Sequence, residues 1–236
     1  MRISLVIAIL LAFPILADDL SKETLIATHT ERFKVPAAGA IKIRNSFGEL
    51  DIDGWDLPEV EVTVVRSSAH SYDAAELAET RGSLEGAQIK AEQNGNDVVI
   101  STASIPWTGA HGRNRRGEIG IGYRIKAPRA AKLIIDHNSG GVNISNMSGD
   151  IHATVLNGQI TLSLPASGQY AIDSQCKIGD VYSDFEGQYQ RRHLLGKEFD
   201  RQSPSAAANL YLRVRYGDIM ILKLHGPPVD SILSLR

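Results

Sequence analysis

The chain has 236 residues, with 25 Lys and Arg against 27 Asp and Glu, a net charge of −2 when histidines are neutral. That balance excludes a general nucleic-acid binder, which carries a marked basic excess, while the length suffices for one sizeable core. A single cysteine, Cys176, excludes an intrachain disulfide, so the fold rests on packing and backbone pairing alone.

Met1-Arg2, the apolar run from Ile3 to Ala17 and the acids Asp18-Asp19 have the order of a basic n-region, an apolar stretch and a small residue before a cleavage point. The run is short beside the roughly 20 residues of a membrane span. Residues 1–17 are therefore expected to be a secretory signal peptide, with an uncleaved anchor as the alternative, and residues 18–236 a single domain. No cysteine stands near residue 17 to carry a lipid anchor, and no later stretch is apolar enough to cross a membrane.

Residues 25–35 and 40–44 alternate as strands do, broken by Pro36-Ala-Ala-Gly39. Leu50, Ile52, Val60, Val62 and Val64 continue the alternation across a turn at Asp53-Gly54 and Pro58. Asp73-Ala-Ala-Glu76 has capping-box spacing and Gly82 can stop a helix, so one short helix is expected over 73–82. Strands at 88–92 and 98–102 are joined by the turn sequence Gln93-Asn-Gly-Asn96. Residues 104–118 have no period and are rich in Gly and Arg, which marks a loop; strands resume at 119–125 and 133–135.

A corner-and-strand motif then recurs. Gly140-Gly-Val142-Asn-Ile144, Gly149-Asp-Ile151-His-Ala153, Gly158-Gln-Ile160-Thr-Leu162, Gly168-Gln-Tyr170-Ala-Ile172 and Gly179-Asp-Val181-Tyr-Ser183 share it, with echoes at Gly187 and Gly217 and earlier copies at Gly39 and Gly48. From Gly140 to Gly187 the steps are 9, 9, 10, 11 and 8 residues. Glycine tolerates the positive φ of a tight corner, and the apolar residues two and four places on have the period of a half-buried strand. Near-constant spacing of such units predicts an all-β fold of parallel β-helix or β-solenoid type, with a repeat core over about residues 39–222, one short helix and irregular loop insertions. Two or three repeats per coil both fit, and right-handed winding is expected. The helix, the irregular segment 190–208 and the Gly226-Pro227-Pro228 tail are candidates to cap the open ends. Asp150, Gln159, Thr161 and Asp180 are expected to face water.

Ile41-Lys-Ile43-Arg-Asn45-Ser-Phe-Gly48-Glu-Leu50-Asp-Ile52-Asp-Gly54, the Val60–Val64 strand, the short helix, the strand before Ala127-Pro128 and the run from Asn138 to Gly187 stand in a recognisable order. In these elements the chain resembles, over about residues 33–222, a bacterial family of exported β-helical envelope proteins catalogued as putative adhesins or as a domain of unknown function. The resemblance implies an exported β-helical protein connected with adhesion or envelope stress, and carries over no catalytic residues.

Seven histidines are scattered without the spacing that puts two imidazoles on one metal. His137 and His152 alone could approach each other across coils, against the reading that both are ordinary polar-face residues. No Gly-x-Ser-x-Gly elbow or intact phosphate loop occurs, and no motif calls for a cofactor. Cys176 lies three residues before Gly179, as Asn45, Asn146, Val155 and Val214 lie before their own glycines, and reads as a buried neighbour of a corner. Asp136, Asp150, Asp173, Asp180 and Asp184 could form the carboxylate pair of a polysaccharide-cleaving β-helix or simply be solvated turn residues. The candidate binding residues are Trp107, His111, Arg113, Arg115 and Arg116 in the 104–118 loop, where guanidiniums can grip carboxylates or phosphates and an indole can stack on a sugar; the alternative is a solvated loop.

The leading expectation is a non-enzymatic, exported scaffold or adhesin-like interaction protein of the periplasm or cell surface. Its expected partners are an envelope polysaccharide, an anionic lipid headgroup or an envelope protein, with no nucleic acid and no cofactor. The alternatives are a carbohydrate-active β-helical lyase or hydrolase and an envelope-stress or self-assembling layer protein.

Overall fold

The structure is a computed structural model that describes residues 26–36, 39–68, 88–104, 119–192 and 195–224. The expected signal peptide, helix and Pro227-Pro228 tail lie outside the described residues. Within them the all-β expectation holds: fifteen strands hydrogen-bond into one mixed sheet, with no helix. The strands are β1 (Ile26–Lys34), β2 (Ala40–Phe47), β3 (Glu49–Trp55), β4 (Glu59–Ser68), β5 (Gln88–Asn94), β6 (Asp97–Ser104), β7 (Ile119–Pro128), β8 (Lys132–Ser145), β9 (Ile151–Pro165), β10 (Tyr170–Ile178), β11 (Val181–Ser183), β12 (Gln188–Arg192), β13 (Gly196–Arg201), β14 (Ala208–Tyr216) and β15 (Ile219–Leu224).

Five segments share one plan, an arm, a glycine corner and a second arm. They are β2–β3 about Gly48, β8 about Gly140, β9 about Gly158, β14–β15 about Gly217 and β10–β11 about Gly179. All five pair in parallel, and each pairs through both of its arms. Between β8 and β9 the offset is 18 residues in both arms, as in Leu133 with Ile151 and Val142 with Ile160. Each segment therefore spans two arms, although only β2–β3, β9 and β10–β11 have a motif glycine before both of them; β8 and β14–β15 carry one at the corner alone.

Alternation then decides what the arms bury. Ile41, Leu133, Ile151, Leu210 and Ile172 form one inward column, and Leu50, Val142, Ile160, Ile219 and Val181 another beyond the corner. Every member of both columns is at most 2 % exposed, and both arms contribute to one continuous apolar cluster. Each such side chain contributes about 1.5–3 kcal/mol by leaving water.

The corner glycines also stack. A Cβ on Gly158 would overlap the carbonyl oxygen of Gly140, and a Cβ on Gly217 that of Gly158. At φ of 150° and 130° these residues have a backbone that side chains rarely permit. Glycine is required here by the neighbouring segment as well as by the turn.

The order of stacking differs from simple consecutive winding. The last segment, β14–β15, lies between β9 and β10–β11, so chain order and spatial order part company. The sheet does not close on itself. At one end β4 pairs antiparallel with both β1 and β7, and β5 with β6. At the other, the 190–208 region supplies antiparallel β13, which covers β10 and carries β12. The β5–β6 hairpin turns at Gly95, φ 62°, within the predicted turn sequence.

Candidate functional site

Trp107, His111, Arg113, Arg115 and Arg116 lie outside the described residues. The other sequence candidates are placed. His137 points into the core and is fully buried, whereas His152, one strand away, is exposed on the outer face. The pairing of β8 with β9 sets His137 beside Val155 and His152 beside Ile134, so the two imidazoles occupy opposite faces and cannot share a metal. Among the described residues no group of three His, Cys, Asp or Glu side chains is placed to hold a metal ion.

Cys176 is buried in the column formed by His137, Val155 and Val214. Burial foremost, with the Asp218 and Asp180 charges, pushes its thiol up to about 12, so at neutral pH it is a small apolar filler. His137 donates or accepts one hydrogen bond, at 2.7 Å between Nδ1 and the Ser46 hydroxyl, while its Nε2 is buried without a partner. Burial lowers its pKa, opposed by the Glu49 charge and by backbone groups of Gly48, Ser139 and Gly140.

Four of the five aspartates serve local structure. Asp150 accepts from the Asn209 backbone N–H at 2.8 Å, Asp173 pairs with Arg213 at 2.7 Å, and Asp180 pairs with Lys197 at 2.7 Å. Asp184 accepts from the Tyr182 hydroxyl at 2.8 Å and from the Lys223 N–H at 2.9 Å. Asp136 differs: it is exposed and lines a groove.

That groove is an open depression of about 620 Å³ on the outer face of β8, β9, β14 and β10. Its lining includes Asp136, Asn138, Leu156, Gln175, Lys177 and Arg215. Alternation turns these side chains outward as it turns Val155, Val214 and Cys176 inward. Arg213, at its edge, lies 3.7 Å over the Tyr211 ring and is anchored by Asp173; Tyr211 stacks on His152 with centroids 4.4 Å apart and planes at 23°.

Lys177 and Arg215 face each other on adjacent strands, between the paired positions Cys176–Val214 and Ile178–Tyr216. Both are exposed, and neither forms an ion pair with a described residue. Arg215 lies 5.5 Å over the Tyr216 ring. Like charges directly opposed on a sheet disfavour the fold.

The motif alignment carried a signal for this site: Asn138, Leu156, Lys177 and Arg215 each stand two residues before a corner glycine. What it lacked was the stacking order, which alone makes the two cations neighbours. A second depression of about 510 Å³ follows the glycine corners, with Glu49, Asn143, Asn157, Gln159, Thr161 and Asp218 on its walls.

The sequence matches neither a family model nor a curated protein. Among solved structures, the fold is similar to one designated "putative cell adhesion protein" from Clostridium sporogenes, at 13% identity and a TM-score of 0.46, over 84% of this chain and 100% of that one. A "putative adhesin" from Bacteroides fragilis is similar at 11% identity and 0.27, over 86% and 99%. A "putative lipid binding protein" from Parabacteroides distasonis is similar at 12% and 0.28, over 66% and 70%.

Proposed function

We propose that the chain is an exported, non-enzymatic interaction protein of the cell envelope, adhesin-like in action, whose β-solenoid-like stack is a rigid scaffold for outward-facing binding surfaces. The observation that carries this reading is the in-register stack itself. One side of the parallel arms is committed to a single apolar core, and the other presents rows of exposed side chains around an open groove. Rigid arms fix the spacing of those rows, which lowers the ordering cost of binding an extended partner. Export rests on the Met1–Ala17 segment.

The test is a binding screen of the purified protein against peptidoglycan, envelope polysaccharides and envelope protein extracts, with assay for cleaved polymer in the same wells. Retention on an envelope component without cleavage is expected. Release of polymer fragments, or no retention on any envelope component, would remove the proposal.

A further inference from the structure

We infer that the groove holding Lys177 and Arg215 is a binding site for a linear acidic polysaccharide, a deepening that rests on the interaction-protein reading above. The first ground is charge. Two cations on neighbouring strands oppose each other with no carboxylate in ion-pair range among the described residues. The nearby acids are displaced from them. Asp136 is two strands from Arg215, with Leu156 and Thr154 on β9 between; Asp173 is engaged by Arg213; Glu198 stands across from Gln175. An anion between Lys177 and Arg215 relieves their mutual repulsion and gains charge-assisted hydrogen bonds from both.

The second ground is shape and repeat. Asn138, Leu156, Arg215 and Lys177 follow one another across β8, β9, β14 and β10, at the ~4.8 Å step of adjacent strands. A chain lying across the strands meets them in turn. The row beside it, Asp136, Thr154, Arg213 and Gln175, supplies carboxylate, hydroxyl and amide groups that suit the hydroxyls of a sugar polymer, while Arg213 is held by Asp173.

The third ground concerns rival occupants. All four strands are paired on both sides, so a peptide has no free edge to extend there. The depression is ringed by the charged side chains of Asp136, Lys177, Arg213 and Arg215, of both signs, unlike the continuous apolar face that inserts into lipid.

The probe is polygalacturonate, with one carboxylate per sugar, and the control its fully methyl-esterified, neutral counterpart. The protein is expected to bind the acidic polymer at low ionic strength, to lose affinity as salt rises and to ignore the ester. Lys177→Ser combined with Arg215→Ser should weaken binding at least about tenfold, while Lys177→Arg retains it. Lys177→Glu gives the sharper reading: it replaces a repulsion by an ion pair with Arg215, so it should abolish polymer binding with the melting temperature unchanged or higher, which misfolding cannot imitate.

The inference is overturned if the protein does not bind the acidic polymer, binds the ester equally well, or prefers phosphatidylglycerol vesicles. It is overturned equally if the Lys177 and Arg215 variants bind undiminished. Loss of binding in an Arg113→Ser, Arg115→Ser, Arg116→Ser variant with retention in the groove variants would move the site to the 104–118 loop. The interaction-protein proposal would survive that result and this inference would not.

Discussion

His137 occupies an inward position whose neighbours along the stack include Val155 and, beyond it, Val214 and Cys176. An imidazole there is tolerated because Ser46 satisfies Nδ1, but Nε2 goes without a partner and the charged form would be desolvated. The folded protein therefore holds the His137 proton less tightly than the unfolded chain does, whose value is near the ordinary 6.5. The unfolded state binds more protons as pH falls below 6.5, so stability is full above that value and declines with acidification until the lowered folded-state pKa is passed. His137→Val alone should cost about 1–3 kcal/mol by stranding the Ser46 hydroxyl, and adding Ser46→Ala should recover most of it. Melting curves from about pH 7 to about pH 5 should fall less steeply for the double variant than for the parent; parallel slopes would show that His137 does not set the acid sensitivity. In the sequence His137 was a scattered histidine. Cys176, Val155 and Val214 hold the same inward place before their corner glycines, whereas before Gly48 a bulge exposes Asn45 and buries Ser46 instead, so the place alone does not give the direction.

The corner is the element on which the arrangement turns. Two costs attach to replacing a corner glycine, a backbone in the positive-φ region and a neighbour's carbonyl in the space of the new Cβ. They separate experimentally because Gly95, in the β5–β6 turn, has φ 62° with nothing within 4 Å of its would-be Cβ. Gly95→Ala should cost about 1 kcal/mol, and Gly158→Ala about 3 kcal/mol or more. Urea unfolding of the two variants measures both, and equal losses would mean that close stacking of corners contributes nothing. The strand-and-corner alternation was legible because it is local, set by apolar residues two and four places after each glycine. The roles of the glycines were not. Gly140 and Gly158 turn corners at positive φ, while Gly149 and Gly168 lead into first arms without it, yet the motif around all four reads alike. Likewise β13 was hidden in the 190–208 segment because Gly196-Lys-Glu-Phe-Asp-Arg carries one large apolar residue, Phe199, which is enough to cover one end of the core.

Across the whole molecule, neighbours in space are distant in sequence. Ile41 pairs with Leu133 and Ile151 with Leu210, separations that no local pattern encodes and that make loop closure a large part of the folding barrier. This is why the two cations of the groove, 38 residues apart in the chain, could not be brought together from sequence. The same topology distinguishes the protein from an array that winds in chain order. In such an array, removing the last repeat frays one end and subtracts one increment of stability. Here β14 and β15, late in the chain, are interior members of the stack: β14 pairs with β9 and β10, and β15 with β9 and β11. Stopping the chain after Ala207 would remove the buried Leu210, Leu212, Val214, Ile219 and Ile221 and leave strands on both sides unpaired. At about 1.5–3 kcal/mol for each side chain the apolar loss alone reaches about 7–15 kcal/mol, as large as the whole net stability of an ordinary domain. The shortened chain should therefore show no cooperative thermal transition and should be cut by protease throughout β8, β9 and β10. A cooperative melt lowered by only a few degrees would mean that β9 and β10 can close upon each other, and that the interior place of the last segment is dispensable.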